Sequence, residues 1–242
     1  MFEIFQTPEA WISLATLAVL EIVLGIDNIV FISILAGKLP EEKRPMARQL
    51  GLSLALITRL ILLASINWVM TLQTELFSVF GHGFSGKDLI LVGGGLFLIA
   101  KATFEIYDKV EGEAGPHHAG TVAVAGMTSV LIQIMLLDIV FSLDSVITAV
   151  GMVDHLIIMV IAVVLAMIVM VIFANPVGDF VERHPSVKIL ALSFLVMIGV
   201  LLMAEGTGQH FDKGYVYFAM AFALSIELLN MRYRSRSKKP SH

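Results

Sequence analysis

Six polar side chains recur at matching places in two apolar segments. Residues 21–30 read EIVLGIDNIV and residues 138–147 read DIVFSLDSVI, and the two stretches align without a gap. Carboxylate, amide and hydroxyl oxygens are the ligands that hard divalent cations such as Mn²⁺, Mg²⁺ and Ca²⁺ prefer. The pattern therefore predicts a metal site in which both copies take part. The predicted ligands are Glu21, Asp27 and Asn28 of the first copy, and Asp138, Asp144 and Ser145 of the second.

The four acids of these copies lie where a charge is costly. One charged side chain at the centre of a bilayer costs about 2.5–3.5 kcal/mol on insertion scales. Arg59 is the one basic residue deep in a predicted span, so the acids must bind cations, hold protons, or both. Arg59 is predicted to be a counter-ion. It could form a static ion pair, or it could move into the cation site when no metal is bound.

The spacing within each copy bears on whether its two acids share a site. Residues six apart on an α-helix are separated by about 120° around the axis and by about 9 Å along it. A shared site therefore favours a locally broken helix. Gly25 and Ser142 lie between the acids and have low helix propensity, so they are the predicted break points. Regular helices would instead place the two acids of each copy in different environments, one for metal and one for protons.

The composition indicates that most of the chain lies in lipid. Charged residues make up 15% of the 242 residues and apolar residues 57%, whereas a soluble domain has about 25% charged residues. The mean hydropathy is +0.88. The absence of cysteine excludes disulfides, thiolate nucleophiles and iron–sulfur clusters. All seven His lie outside the cores of the predicted spans, which argues against a pathway for Zn²⁺ or Cu²⁺.

Seven apolar runs are long enough to cross a bilayer core, which takes about 20 helical residues. Alternating strand patterns are absent, and backbone polar groups in lipid must be paired within their segment, so the runs are predicted to be helices. The predicted fold class is an all-α polytopic membrane protein with seven transmembrane helices. The spans cover residues 11–37, 50–70, 89–107, 127–151, 156–174, 189–204 and 215–231.

The distribution of positive charge predicts the orientation of these spans. Nearly all of the 16 Lys and Arg fall on one side of the membrane if the C-terminus is cytoplasmic. The positive-inside rule then places the N-terminus outside and the C-terminus inside. Residues 232–242 form a basic cytoplasmic tail, which is predicted to anchor the topology.

The paired motifs also predict an internal repeat. Residues 1–231 form a single transmembrane domain in which about 10–107 make one three-helix repeat and about 127–205 make the second. Because each repeat has an odd number of spans, the second enters the membrane in the opposite sense. This 3+3 inverted repeat is typical of secondary transporters, and the helix at about 215–231 lies outside it. Glu105 and Glu205 occupy corresponding places near the ends of the third and sixth spans.

The paired motifs resemble those of the TerC family of integral membrane proteins, named for tellurium resistance. The resemblance covers about residues 10–231, and residues 178–188 resemble the small bacterial members that have no extra soluble domain. It implies a seven-helix protein of the bacterial cytoplasmic membrane that exports a metal ion, which is Mn²⁺ in the best understood members. Family members have also been placed in tellurite resistance and in organising membrane complexes. Leu201 occupies a position at which some relatives have Lys. A counter-ion role for that position, as in those relatives, is therefore in question.

The leading hypothesis is a secondary transporter that exports a divalent cation, with Mn²⁺ implied by the resemblance and proton exchange as a coupling option. The chain is not expected to be an enzyme or to hold a permanent cofactor. Membrane lipid and the transported cation are the expected partners, with no nucleic acid. One alternative is a scaffold that transports nothing. The other is an aspartyl protease with Asp27 and Asp144 as its dyad, which the absence of a G-x-G-D sequence disfavours.

Overall fold

The computed structural model describes residues 5–79, 82–111, 126–153, 155–209, 211 and 213–237. Residues 112–125, most of the polar linker between the predicted repeats, and residues 238–242 of the predicted basic tail lie outside this description. In chain order the elements are α1 (Pro8–Ala36), a short 3₁₀ helix (Glu41–Lys43), α2 (Arg44–Ala64), α3 (Ile66–Thr71), β1 (Glu75–Val79), β2 (His82–Ser85), α4 (Gly86–Val110), α5 (Met127–Met152), α6 (Leu156–Arg183), α7 (Pro185–Gly206) and α8 (Lys213–Ser237).

Seven helices in the described part of the chain, α1, α2 and α4–α8, are long and apolar enough to cross a membrane. The all-α fold class and the number of spans predicted from the sequence are confirmed. Proline is the first residue of α1 and α7 and the second residue of α2, and its missing N–H costs nothing in the first turn of a helix. The start of α4 is capped reciprocally: the Asp88 N–H donates to the Ser85 hydroxyl at 3.2 Å, and the Ser85 N–H donates to the Asp88 carboxylate at 2.8 Å.

Two helix ends differ from the predicted spans. The second span stops at Ala64, because the backbone at Ser65 leaves the helical region, and the short helix α3 follows. The fifth span, α6, continues through Pro176 to Arg183 instead of ending at residue 174. Ion pairs between its polar end and α2 stabilise this extension. The antiparallel pair β1 and β2, in which Phe77 stacks on Phe84 at 5.6 Å, was also not predicted.

The helices pack in pairs drawn from the two predicted repeats. Helix α4 packs along α7, α1 packs along α6, and α2 packs on both α5 and α6. Gly95 and Gly199 bring α4 and α7 into backbone contact, since a Cβ on Gly199 would lie 2.8 Å from the Gly95 carbonyl oxygen. Helix α8 packs chiefly on α7 and leaves most of its surface exposed.

The predicted helix breaks at Gly25 and Ser142 are wrong, because α1 and α5 run through both positions as continuous helices. At Gly25 the missing side chain makes room for a neighbour, since a Cβ there would overlap the sulfur of Met170 on α6. Ser142 uses its hydroxyl for buried side-chain hydrogen bonds. Both residues therefore serve packing between regular helices, and the two acids of each motif point in different directions.

Candidate cation site between the motif helices

The first acids of the two motif copies meet at one guanidinium. Arg59 Nη1 on α2 donates to Glu21 Oε2 on α1, and Arg59 Nε lies 3.7 Å from Asp138 Oδ1 on α5. The exposed fractions of Glu21, Arg59 and Asp138 are 3%, 1% and 4%. Arg59 is thus the counter-ion of the first acids, and the cluster ties together α1, α2 and α5.

Ser142 completes this buried ion cluster. Its hydroxyl accepts a hydrogen bond from Arg59 Nε at 2.8 Å and donates one to Asp138 Oδ2 at 3.1 Å. A buried ion pair is tolerated only when hydrogen bonds satisfy the remaining polar atoms. The hydroxyl supplies such a bond to both Arg59 and Asp138, and thereby orients them.

The second acids of the copies lie together in a different place. Asp27 and Asn28 of α1 and Asp144 and Ser145 of α5 line a cavity of about 60 Å³. The Ser145 hydroxyl donates to the Ser142 carbonyl at 3.3 Å. Apolar side chains of α7 and α8 close the cavity. Its full lining is Leu24, Asp27, Asn28, Arg59, Phe141, Asp144, Ser145, Ile198, Leu201, Leu202, Val216 and Tyr217.

Two larger apolar cavities adjoin these carboxylates. Asp27 borders a cavity of about 340 Å³ between α1, α7 and α8, and Asp144 borders one of about 630 Å³ beside α1. Tyr217 of α8 lines all three cavities. The two carboxylates therefore face space that α8 covers only in part.

Lys87 and Glu205 form an ion cluster with Asp144, although the sequence pattern did not assign either of them to the site. Lys87 Nζ lies 3.4 Å from Asp144 Oδ1 and 3.7 Å from Glu205 Oε1. Lys87 lies in the first turn of α4 and Glu205 in the last turn of α7, so neither belongs to a motif copy. The one signal in the sequence that could have assigned Glu205 to the site was its correspondence with Glu105.

A second ionic cluster joins α2 and α6 away from this cavity. Arg48 Nη1 lies 2.8 Å from Asp179 Oδ1, and Arg48 Nη2 lies 2.7 Å from Glu182 Oε1. Arg44 Nη1 lies 2.9 Å from Glu182 Oε2. Gly178 makes room for the Arg48 guanidinium, since a Cβ there would overlap its central carbon. This cluster explains why a polar stretch extends α6 beyond its apolar run.

The donor set around the small cavity fits a hard cation. In the ranges that the structure describes, no group of three or more His, Asp or Glu side chains is close enough to hold a metal ion. The cavity instead combines two carboxylates with the oxygens of Asn28 and Ser145. Oxygen donors of this kind bind Mn²⁺, Mg²⁺ or Ca²⁺, with water filling the remaining positions.

Residues 6–242 match the profile of the Integral membrane protein TerC family. The chain belongs to this family. It is 54% identical over 238 residues to a UPF0053 protein of Haemophilus influenzae, and the alignment covers 98% of the chain and 100% of the relative. It is 53% identical over 231 residues to the UPF0053 inner membrane protein YgdQ of Escherichia coli K12, which covers 96% of both chains.

A longer relative contains the same region as part of a larger protein. The chain is 53% identical over 228 residues to the UPF0053 inner membrane protein YoaE of Escherichia coli K12. The alignment covers 94% of the chain and 44% of that protein. No solved structure matches the chain. The seven apolar helices and the TerC match together show a multi-pass membrane protein, as the motif resemblance implied.

Proposed function

We propose that this TerC protein is a secondary transporter that exports a divalent cation, Mn²⁺, across the bacterial inner membrane. The observation that carries the proposal is the shared cavity of the second acids. Asp27 and Asp144 come from separate motif copies, more than a hundred residues apart, and they line one space together with Asn28 and Ser145. The relatives named as inner membrane proteins support the location.

Charge supports a cation as the occupant of this space. The Arg59 guanidinium is already engaged by Glu21 and Asp138, which carry more negative charge than one Arg can offset. Asp27 and Asp144 add two carboxylates in a low-dielectric environment, and the one ammonium of Lys87, which Asp144 shares with Glu205, leaves repulsion between them. A bound metal ion or bound protons would remove that repulsion, and alternation between the two would couple metal export to proton entry.

The first acids of the motif copies have a different role from the second acids. Glu21, Asp138 and Arg59 hold α1, α2 and α5 together as a buried ion cluster. Asp27 and Asp144 bind the transported ion. This division corresponds to the regular-helix alternative raised from the motif spacing, and no step in it requires catalysis or a resident cofactor.

The packing of the helices supports an inverted repeat as the frame of this transporter. If α1, α2 and α4 correspond to α5, α6 and α7, then the contact of α1 with α6 has its counterpart in the contact of α2 with α5. Helices α4 and α7 correspond to each other and pack together through Gly95 and Gly199. In such a frame, an ion site lies at the interface between the repeats, as the small cavity does between α1 and α5.

A flux assay on the purified full chain in proteoliposomes tests the proposal. Wild-type protein is expected to carry Mn²⁺, and Asp27→Asn and Asp144→Asn are each expected to lower the flux at least tenfold. Glu42→Gln, at an exposed acid on the short 3₁₀ helix, is the matched control and should retain wild-type flux. Mg²⁺ and Ca²⁺ serve as competitors, since oxygen ligands suit them too.

The same assay separates the proposal from its alternatives. A scaffold that transports nothing predicts no Mn²⁺ flux in wild-type protein and tolerance of both Asp substitutions. An aspartyl protease predicts loss of peptide cleavage in both variants with no metal flux in any protein. Either pattern would refute the transport proposal.

A further inference from the structure

Lys87 places a side-chain cation next to the proposed ion site. Its ammonium lies within 4 Å of two carboxylates from different helices, Asp144 on α5 and Glu205 on α7. The exposed fractions of these three side chains are 20% for Lys87, 13% for Asp144 and 18% for Glu205. The ammonium beside Asp144 is therefore partly covered, and its charge is screened less than at an open surface.

We infer that Lys87 is a resident cation that occupies one side of the metal site, and that Glu205 is a further carboxylate ligand which the metal gains when it displaces the Lys87 ammonium. The inference rests on the proposed function, which assigns Asp144 to the transported ion. It gives Asp144 a second carboxylate neighbour on α7, and it adds a competitor that the arriving ion must displace.

The backbone around Lys87 holds its position relative to Glu205. The Lys87 N–H donates to the Leu72 carbonyl at 2.9 Å, and the reciprocal cap between Ser85 and Asp88 fixes the first turn of α4. Gly206 lies directly against this turn, since a Cβ there would come 2.7 Å from the Asp88 carbonyl oxygen. The end of α7 is thereby fixed beside the start of α4, which keeps Glu205 within reach of the ammonium.

The chemistry of lysine suits a displaceable occupant. Its ammonium is a compact charge on a flexible four-carbon stem, so the charge can swing away while the backbone stays in place. A divalent ion carries twice its charge and interacts about twice as strongly with the same carboxylates at equal distance. A metal ion entering from the Asp27 side can therefore displace the ammonium, whereas a monovalent ion has no such advantage. The resident cation thus favours divalent over monovalent ions.

Equilibrium Mn²⁺ binding to the purified full chain in detergent provides the first test. Lys87→Met removes the competing charge and is expected to tighten Mn²⁺ binding at least tenfold, which is about 1.4 kcal/mol. Lys87→Arg keeps the charge and should bind Mn²⁺ much as wild type does. Glu205→Gln removes a ligand and should weaken binding at least tenfold. Lys101→Met is the matched control, because it removes the Lys of a Lys–Glu pair at the other end of α4 and should not change the affinity.

A measurement on the wild-type chain keeps the inference testable if a variant fails to fold. Acylation of lysine amines by a water-soluble reagent, read by peptide mass spectrometry, reports whether each ammonium is engaged. Saturating Mn²⁺ is expected to raise the labelling rate of Lys87 several-fold and to leave Lys101 unchanged. Equal labelling of Lys87 with and without bound Mn²⁺ would overturn the inference.

The outcomes distinguish this inference from the transport proposal. If Asp27→Asn and Asp144→Asn abolish flux while Lys87→Met leaves the Mn²⁺ affinity unchanged or lowers it, transport stands and the role of Lys87 is refuted. If wild-type protein neither binds nor carries Mn²⁺, both are refuted. Tighter binding in Lys87→Met together with weaker binding in Glu205→Gln supports both.

Discussion

Removal of the Arg59 guanidinium should destabilise the protein more than removal of any exposed cation. Arg59 is 1% exposed, and its partners Glu21 and Asp138 are also buried. In Arg59→Met, two carboxylates would remain buried without their counter-ion, and the Ser142 hydroxyl would lose its donor. Breaking a buried ion pair by removing one partner costs about 3–5 kcal/mol. We expect a loss of this size in the free energy of unfolding.

A variant in which all three charged residues of the cluster are replaced by neutral ones provides the control. The triple variant Glu21→Gln, Arg59→Met and Asp138→Asn leaves no buried charge and should recover most of the stability lost in the single variant. Denaturant titration in mixed micelles, followed by helical circular dichroism, measures both losses. Lys101→Met removes a cation that is 24% exposed and should cost no more than about 1 kcal/mol. A single-variant loss below about 1 kcal/mol, or a triple variant no more stable than Arg59→Met, would refute the reasoning.

Two further predictions concern packing between helices. Gly25→Ala introduces a Cβ that overlaps the Met170 sulfur and should cost about 1–3 kcal/mol of unfolding free energy. In a Met170→Ala background the same Gly25→Ala substitution should cost less than it does in the wild-type background, and an equal cost in the two backgrounds would contradict the contact. Arg48→Met removes a buried guanidinium that is paired with Asp179 and Glu182, and it should cost about 1.5–3 kcal/mol in denaturant titration, because Glu182 keeps its other ion pair. Arg44→Met, at a side chain that is 25% exposed, should cost no more than about 1 kcal/mol, and equal losses in the two variants would argue against burial as the cause.

The helices and the family could be predicted because lipid imposes a rule that acts on consecutive residues. A segment crossing the bilayer must be apolar for about 20 residues and must pair its own backbone. This local requirement is visible in the composition of each run, so each of the seven predicted spans corresponds to a long apolar helix. The motif copies could be recognised for the same reason, since their spacing is preserved along the chain.

The breaks at Gly25 and Ser142 show where local reasoning failed. A small or polar residue between two acids is compatible with a broken helix and with a close helix contact. The choice depends on what lies opposite it, and Met170 and Arg59 are distant in the chain. Propensity alone therefore suggested unwinding, whereas packing stabilises the regular helix.

The sequence alone specified which residues can carry the chemistry: two copies of one acidic motif, a single deep Arg, and seven apolar segments that force helices. The tertiary structure decided which of those acids meet. Rotation of α1 and α5 about their axes directs Glu21 and Asp138 to Arg59, and directs Asp27 and Asp144 to the cavity. It also brought Lys87 and Glu205 to Asp144. Such groupings arise from contacts between helices far apart in the chain, and no pattern of neighbouring residues encodes them.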